Sequence, residues 1–112
     1  MKKQCTRMVN RAELINKLIL SYPAIYDPQF TFCVPDHWFE NLNWLSIAIN
    51  TILISNPTFK IEVSDVKEKH GGLRFYYSLQ GPLSGHATLD QKIEVLIEQA
   101  NERIQQEDFT KR

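Results

Sequence analysis

This 112-residue chain has no excess of charge of either sign: thirteen Lys and Arg are balanced by thirteen Asp and Glu. A whole-molecule field that would draw it to DNA or RNA is therefore absent. Cysteine is scarce. The two that occur, Cys5 and Cys33, follow no metal-ligand spacing and no paired pattern. No segment reads as a secretion signal, so two free thiols in a reducing cytoplasm are expected. Long hydrophobic runs are missing too. The most apolar stretch, residues 42–54, is interrupted by Asn43 and Asn50 and is too short to cross a bilayer. It reads as a core helix, and no membrane contact is expected. Repeats, low-complexity tracts and interdomain linkers are also lacking. With 43% apolar and 23% charged residues, the chain matches an ordinary globular domain. A single domain over residues 1–112 is expected, with residues 1–9 and 108–112 as loose tails.

What is present is best organised between residues 59 and 80. Phe59, Ile61 and Val63 alternate with Lys60, Glu62 and Ser64, the period of a half-buried strand. Leu73, Phe75, Tyr77 and Leu79 alternate in the same way with Arg74, Tyr76, Ser78 and Gln80. Gly71 and Gly72 lie between the two runs and are expected to supply the positive φ of a tight hairpin turn. Asp65 and Lys67 break the inward parity set by Val63. Either the first strand stops near Ser64 or a bulge turns Val66 inward. The outward face near the tip then gathers Lys67, Lys69, Arg74 and Tyr76 around one carboxylate, Glu68. Two readings stay open for this face: a solvated edge whose lysines discourage aggregation, or a binding surface.

Three helices frame the hairpin. The first is expected to start at an Asn10 cap, with Glu13 three residues on. It presents Leu14, Ile15, Leu18 and Ile19 on one stripe and stops before Pro23. The last pairs Thr88 with Gln91 in the same capping relation. Leu89, Ile93, Leu96, Ile97, Ala100 and Ile104 follow at helical spacing. Between the first two helices, Phe30, Phe32 and Val34 suggest a short third strand bounded by Pro28 and Pro35. The middle helix, residues 37–54 with Asp36 as its cap, is apolar on two sides. Trp38, Leu42, Leu45, Ile49, Ile52 and Leu53 form one stripe, and Trp44, Ile47 and Ile54 lie opposite. Such a helix is either sandwiched within the fold, the reading favoured here, or offers a partner or homodimer face centred on Trp44. The fold class that follows is α+β, in the order α-β-α-β-β-α. A small antiparallel sheet, the short strand plus the hairpin, packs against three helices.

Catalytic chemistry finds little support. His37 sits in a first helical turn, where capping or packing is the common role. His70 occupies the hairpin tip, and His86 lies in the loop of residues 81–86. Nothing in the spacing brings Cys33 to a histidine or Asp27 and Asp36 to a shared bond. The glycine pair joins strand to strand rather than strand to helix, unlike a phosphate-binding loop. No catalytic residue, metal site or cofactor is expected.

Trp38-Phe39, a break marked by Pro57, and the run Val66-Lys67-Glu68-Lys69-His70-Gly71-Gly72-Leu73-Arg74-Phe75-Tyr76-Tyr77 resemble an uncharacterised group of small bacterial and phage proteins. The resemblance spans roughly residues 22–79, with His70 where that group has a phenylalanine. Many of its members continue into a cysteine-rich, zinc-ribbon-like tail. This chain instead ends in the helix from Leu89, so no metal site carries over. The resemblance implies a phage or other mobile-element context, where short chains often act by binding and blocking another macromolecule.

The expectation is therefore a non-enzymatic module that binds another protein, a host factor or a toxin, as an inhibitor or immunity-type blocker. Its candidate contact residues are Lys67, Lys69, His70, Gly71, Gly72, Arg74 and Tyr76, with Trp44 as a second locus. The rival is a nucleic-acid-binding accessory protein using the basic tip. A small enzyme is the third reading.

Overall fold

The computed structural model describes residues 11–110, with side chains for 12–108. Helix α1 covers Arg11–Ser21, a 3-10 turn Asp36–Trp38, α2 Phe39–Ser55, β1 Lys60–Lys69, β2 Gly72–Gln80 and α3 His86–Thr110. The α+β class and the order of elements are as expected. Asn10, the expected cap of α1, lies outside the described residues. Leu18 and Ile19 are buried and Leu14 and Ile15 pack beside them, while Leu20 on the far side is exposed.

The short strand contributes a single bridge. Cys33 pairs with Lys67 in a parallel sense: its N–H donates to the Val66 carbonyl, and its own carbonyl accepts from Glu68 N–H, both at 3.0 Å. The antiparallel ladder proper has two strands. Pro28 and Pro35 leave little chain between them from which a longer ladder could grow. Around the bridge, Tyr26, Phe30, Phe32 and Phe39 form a chain of aromatic contacts with ring centroids 4.9–5.8 Å apart. The Tyr26 hydroxyl meets Ser46 Oγ at 2.7 Å. Burial holds the Tyr26 pKa well above its usual value. Cys33 is disulfide-bonded, which corrects the expectation of two free thiols. The other cysteine, Cys5, lies outside the described residues. Separation in sequence says nothing about which thiols meet in space.

Asp36 does not hold the N-cap position of α2, which falls at Trp38. The helix is led in by the 3-10 turn, whose N-cap position is held by Pro35 in an extended conformation. One side of α2 buries Phe39, Leu42, Leu45, Ile49 and Leu53. The opposite side is sandwiched only in part, with Trp44 packed against the core. Trp44 is half-buried, and Ile47 and Ile54 are exposed.

In the hairpin the inward parity is the expected one. Ile61, Val63, Val66, Leu73, Phe75 and Leu79 are buried, and a bulge between Val63 and Asp65 turns Val66 fully inward. Helix α3 packs along β2 and against α2, burying Leu89, Ile93, Ala100 and Ile104. It begins at His86, two residues before the expected Thr88 cap. Leu89 N–H already donates to the Gly85 carbonyl at 3.0 Å, so Thr88 lies inside the first turn. The helix runs on to Thr110, and the Asp108 side chain is held by those of His37 and Trp38, while residues 111–112 of the expected tail lie outside the described residues.

Candidate functional site

The tip of the hairpin is built one residue earlier than the sequence suggested. Lys69 pairs with Gly72, leaving His70 and Gly71 as the two turn residues. Both have positive φ, 55° and 81°. That matches a type I′ turn, whose backbone twist suits antiparallel strands. Gly72, by contrast, is not at positive φ. A Cβ there would meet Gln105 and Asn101 of α3 at ordinary contact distances of 3.6 and 3.7 Å. Among the described residues Glu68 forms no ion pair with the basic cluster. Its Oε2 accepts the Gly71 N–H at 2.8 Å and closes the turn. From behind, Asn101 Oδ1 accepts the Leu73 N–H at 2.9 Å, so α3 braces the base of the tip.

The outward face carries the chemistry. Lys67 and Arg74 lie directly across the ladder from each other, as do Asp65 and Tyr76. Like charges placed directly opposite are unfavourable. Lys67 is relieved by Asp65 at 3.4 Å, and its ammonium lies 5.8 Å from the Tyr76 ring centroid. Among the described residues no carboxylate pairs with Arg74 or Lys69. Tyr76 is 47% exposed. One short stretch of backbone thus displays three cations and a flat ring, the groups that suit acidic or aromatic partners.

The sequence-derived residues fall in two places. Lys67, Lys69, His70, Gly71, Gly72, Arg74 and Tyr76 share the tip and outer face. Trp44 is elsewhere, on α2, with the Arg103 guanidinium 4.6 Å above its ring. Around it runs a polar seam between the start of α2 and the end of α3 that the sequence did not disclose. His37 Nε2 donates to Asp108 Oδ1 at 2.6 Å, and Trp38 Nε1 donates to Asp108 Oδ2 at 3.3 Å. Asn41 Nδ2 donates to Glu107 at 2.9 Å, and Arg103 Nε donates to Asn41 Oδ1 at 3.0 Å. His37 is thus a tie between elements, not a cap. The one signal available was the Arg103–Glu107 spacing on a shared helix face, which by itself reads as a local ion pair.

A third cluster joins β2 to α3. The Tyr77 hydroxyl reaches Asp90 Oδ1 at 2.6 Å and Glu94 Oε2 at 3.0 Å. Burial, then these two carboxylates, hold its pKa well above the usual tyrosine value. His86 moves out of the loop into the first turn of α3, where Nε2 donates to the Leu79 carbonyl at 2.7 Å. Among the described residues, no three His, Cys, Asp or Glu side chains converge as metal ligands, and no helix is long and apolar enough to cross a membrane. No protein-family model, curated protein or solved structure matches the chain.

Proposed function

We propose that this protein is a non-enzymatic binding module that offers the outer face of its hairpin tip to another protein, acting as an inhibitor or immunity-type blocker. One observation carries the reading. Lys67 and Arg74 are held opposite each other, with Arg74 and Lys69 unpaired among the described residues and Tyr76 exposed beside them. A surface selected for stability alone would place carboxylates there. An acidic partner would supply the missing counter-charges and would bury the ring, as aromatic and arginine anchors do at interface centres. The likeness of the tip to small phage and bacterial proteins supports a mobile-element setting and a host factor or toxin as partner.

A nucleic-acid reading draws on the same surface, because Lys67 beside the Tyr76 ring pairs a phosphate contact with a stacking platform. Salt separates the two. Capture of a host protein that survives moderate salt and is lost in the Lys69→Ala/Arg74→Ala variant supports the protein-binding reading. Binding to single-stranded oligonucleotides that falls steeply with salt supports the other. A homodimer through α2 would show as self-association that Trp44→Ala weakens and the tip variant does not.

A further inference from the structure

A cleft of about 430 Å³ lies between the start of α2 and the last turns of α3, lined by Glu40, Asn41, Arg103, Gln106 and Glu107. It is organised around a buried amide. Asn41 is only 6% exposed, and both ends of its side chain are used, one toward Glu107 and the other by Arg103. Arg103 is fixed twice, through Nε by Asn41 and through its face by the Trp44 ring. Those contacts leave its terminal nitrogens, the fork that grips a carboxylate with two parallel hydrogen bonds, without a partner among the described residues. Glu107, one helical turn on, is the local candidate to pair with that fork, but it is turned to Asn41. On α2, Glu40 is exposed at the same cleft and likewise makes no hydrogen bond or ion pair among the described residues.

The lining therefore presents an oriented donor fork together with a carboxylate, Glu40, that has no partner among the described residues. A simple anion would find the fork but face Glu40. A simple cation would find Glu40 but face Arg103. A molecule with a carboxylate at one end and an ammonium group at the other satisfies both. The volume falls within the range of small-molecule sites. We propose that this cleft binds a free α-amino acid, its carboxylate on the Arg103 fork and its ammonium on Glu40. The proposal does not depend on the role of the hairpin.

The test is an NMR titration of the full chain with L-alanine, and with acetate and ethylammonium as probes that each lack one end. The expected result is a saturable shift of the Trp44 indole and Arg103 Nε signals by alanine. Acetate and ethylammonium should bind at least tenfold more weakly, and Arg103→Gln should weaken alanine binding at least tenfold. Glu40→Gln, an exposed change that leaves the Asn41 network alone, should narrow the gap between alanine and acetate. Thermal melts of both variants confirm that they fold, and Glu40→Gln carries the decision if Arg103→Gln does not. Absence of a saturable shift at millimolar alanine overturns the proposal. So does equal binding of alanine and acetate by the parent, or an unchanged preference in Glu40→Gln.

Discussion

The two faces of the hairpin share one ladder of backbone bonds and follow opposite rules. Inward, the cross-strand neighbours are Ile61 with Leu79, Val63 with Tyr77 and Val66 with Phe75. Outward, they are Lys60 with Gln80, Glu62 with Ser78 and Lys67 with Arg74. The inward pairs remove apolar surface from water and fix the register, since a slip of one residue would expose all of them. The outward pairs bury little. Glu62 and Gln80 share a hydrogen bond of 3.3 Å, whereas Lys67 and Arg74 oppose like charges. The fold therefore rests on one face, and the other is free to carry groups chosen for something else.

That division is open to attack from its strongest side first. Phe75→Ala empties a buried aromatic site and should cost about 3–5 kcal/mol. A loss below about 1 kcal/mol in denaturant melts would show that the inward face does not hold the fold. Next in size is the turn that joins the faces. Gly71→Ala forces a Cβ into the left-handed region at φ 81° and should cost about 1–2 kcal/mol. Gly72→Ala, whose Cβ meets only ordinary contacts, should stay within about 0.5 kcal/mol. Equal losses at the two positions would place the turn back on the glycine pair.

The tyrosines give a pH-dependent handle on the inward side. Tyr26 and Tyr77 hold their protons more firmly in the folded chain than in the unfolded one, whose tyrosines ionise near pH 10.0. Their contribution is fully present below that pH and is lost as pH rises beyond it, because the unfolded chain releases protons that the folded chain keeps. Chemical denaturation from about pH 9 to about pH 11 should show this fall, and Tyr77→Phe should make it shallower. An alkaline fall as steep in Tyr77→Phe as in the parent would assign it to other groups. The smallest effect on folding belongs to the outward face. Lys69→Ala with Arg74→Ala should change stability by less than about 0.5 kcal/mol. The same pair should weaken partner binding at least tenfold, about 1.4 kcal/mol. Normal melting with undiminished binding would reduce the basic tip to a solubility device.

Which parts were legible in the sequence follows from the reach of each interaction. Period-two alternation is local, so both strands and their inward residues could be read, and even the bulge announced itself where Asp65 and Lys67 broke parity. The turn was misplaced by one residue because a histidine at positive φ carries no glycine to mark it. The Thr88–Gln91 spacing looked like a cap, yet Gly85, with φ 82°, already ends the loop and lets the helix start at His86. The α2–α3 seam was invisible because its partners are 62 to 71 residues apart in the chain. No window of sequence contains both His37 and Asp108, or Asn41 and Arg103. The tip site was legible in composition but not in pairing: Glu68 looked like its counter-charge, and only the folded turn shows that carboxylate committed to Gly71.

The bond from the Leu73 amide to Asn101 has a consequence for how the molecule keeps to itself. In a two-stranded sheet, β2 is an outer strand whose free amides and carbonyls could template an incoming chain. Here α3 occupies both ends of that row, Asn101 at the Leu73 amide and His86 at the Leu79 carbonyl. An approaching strand would find its first and last anchoring positions taken, with only the span between them to grip. The helix that supplies the core thus also stoppers the rim of the sheet at both ends, where an added strand would have to anchor.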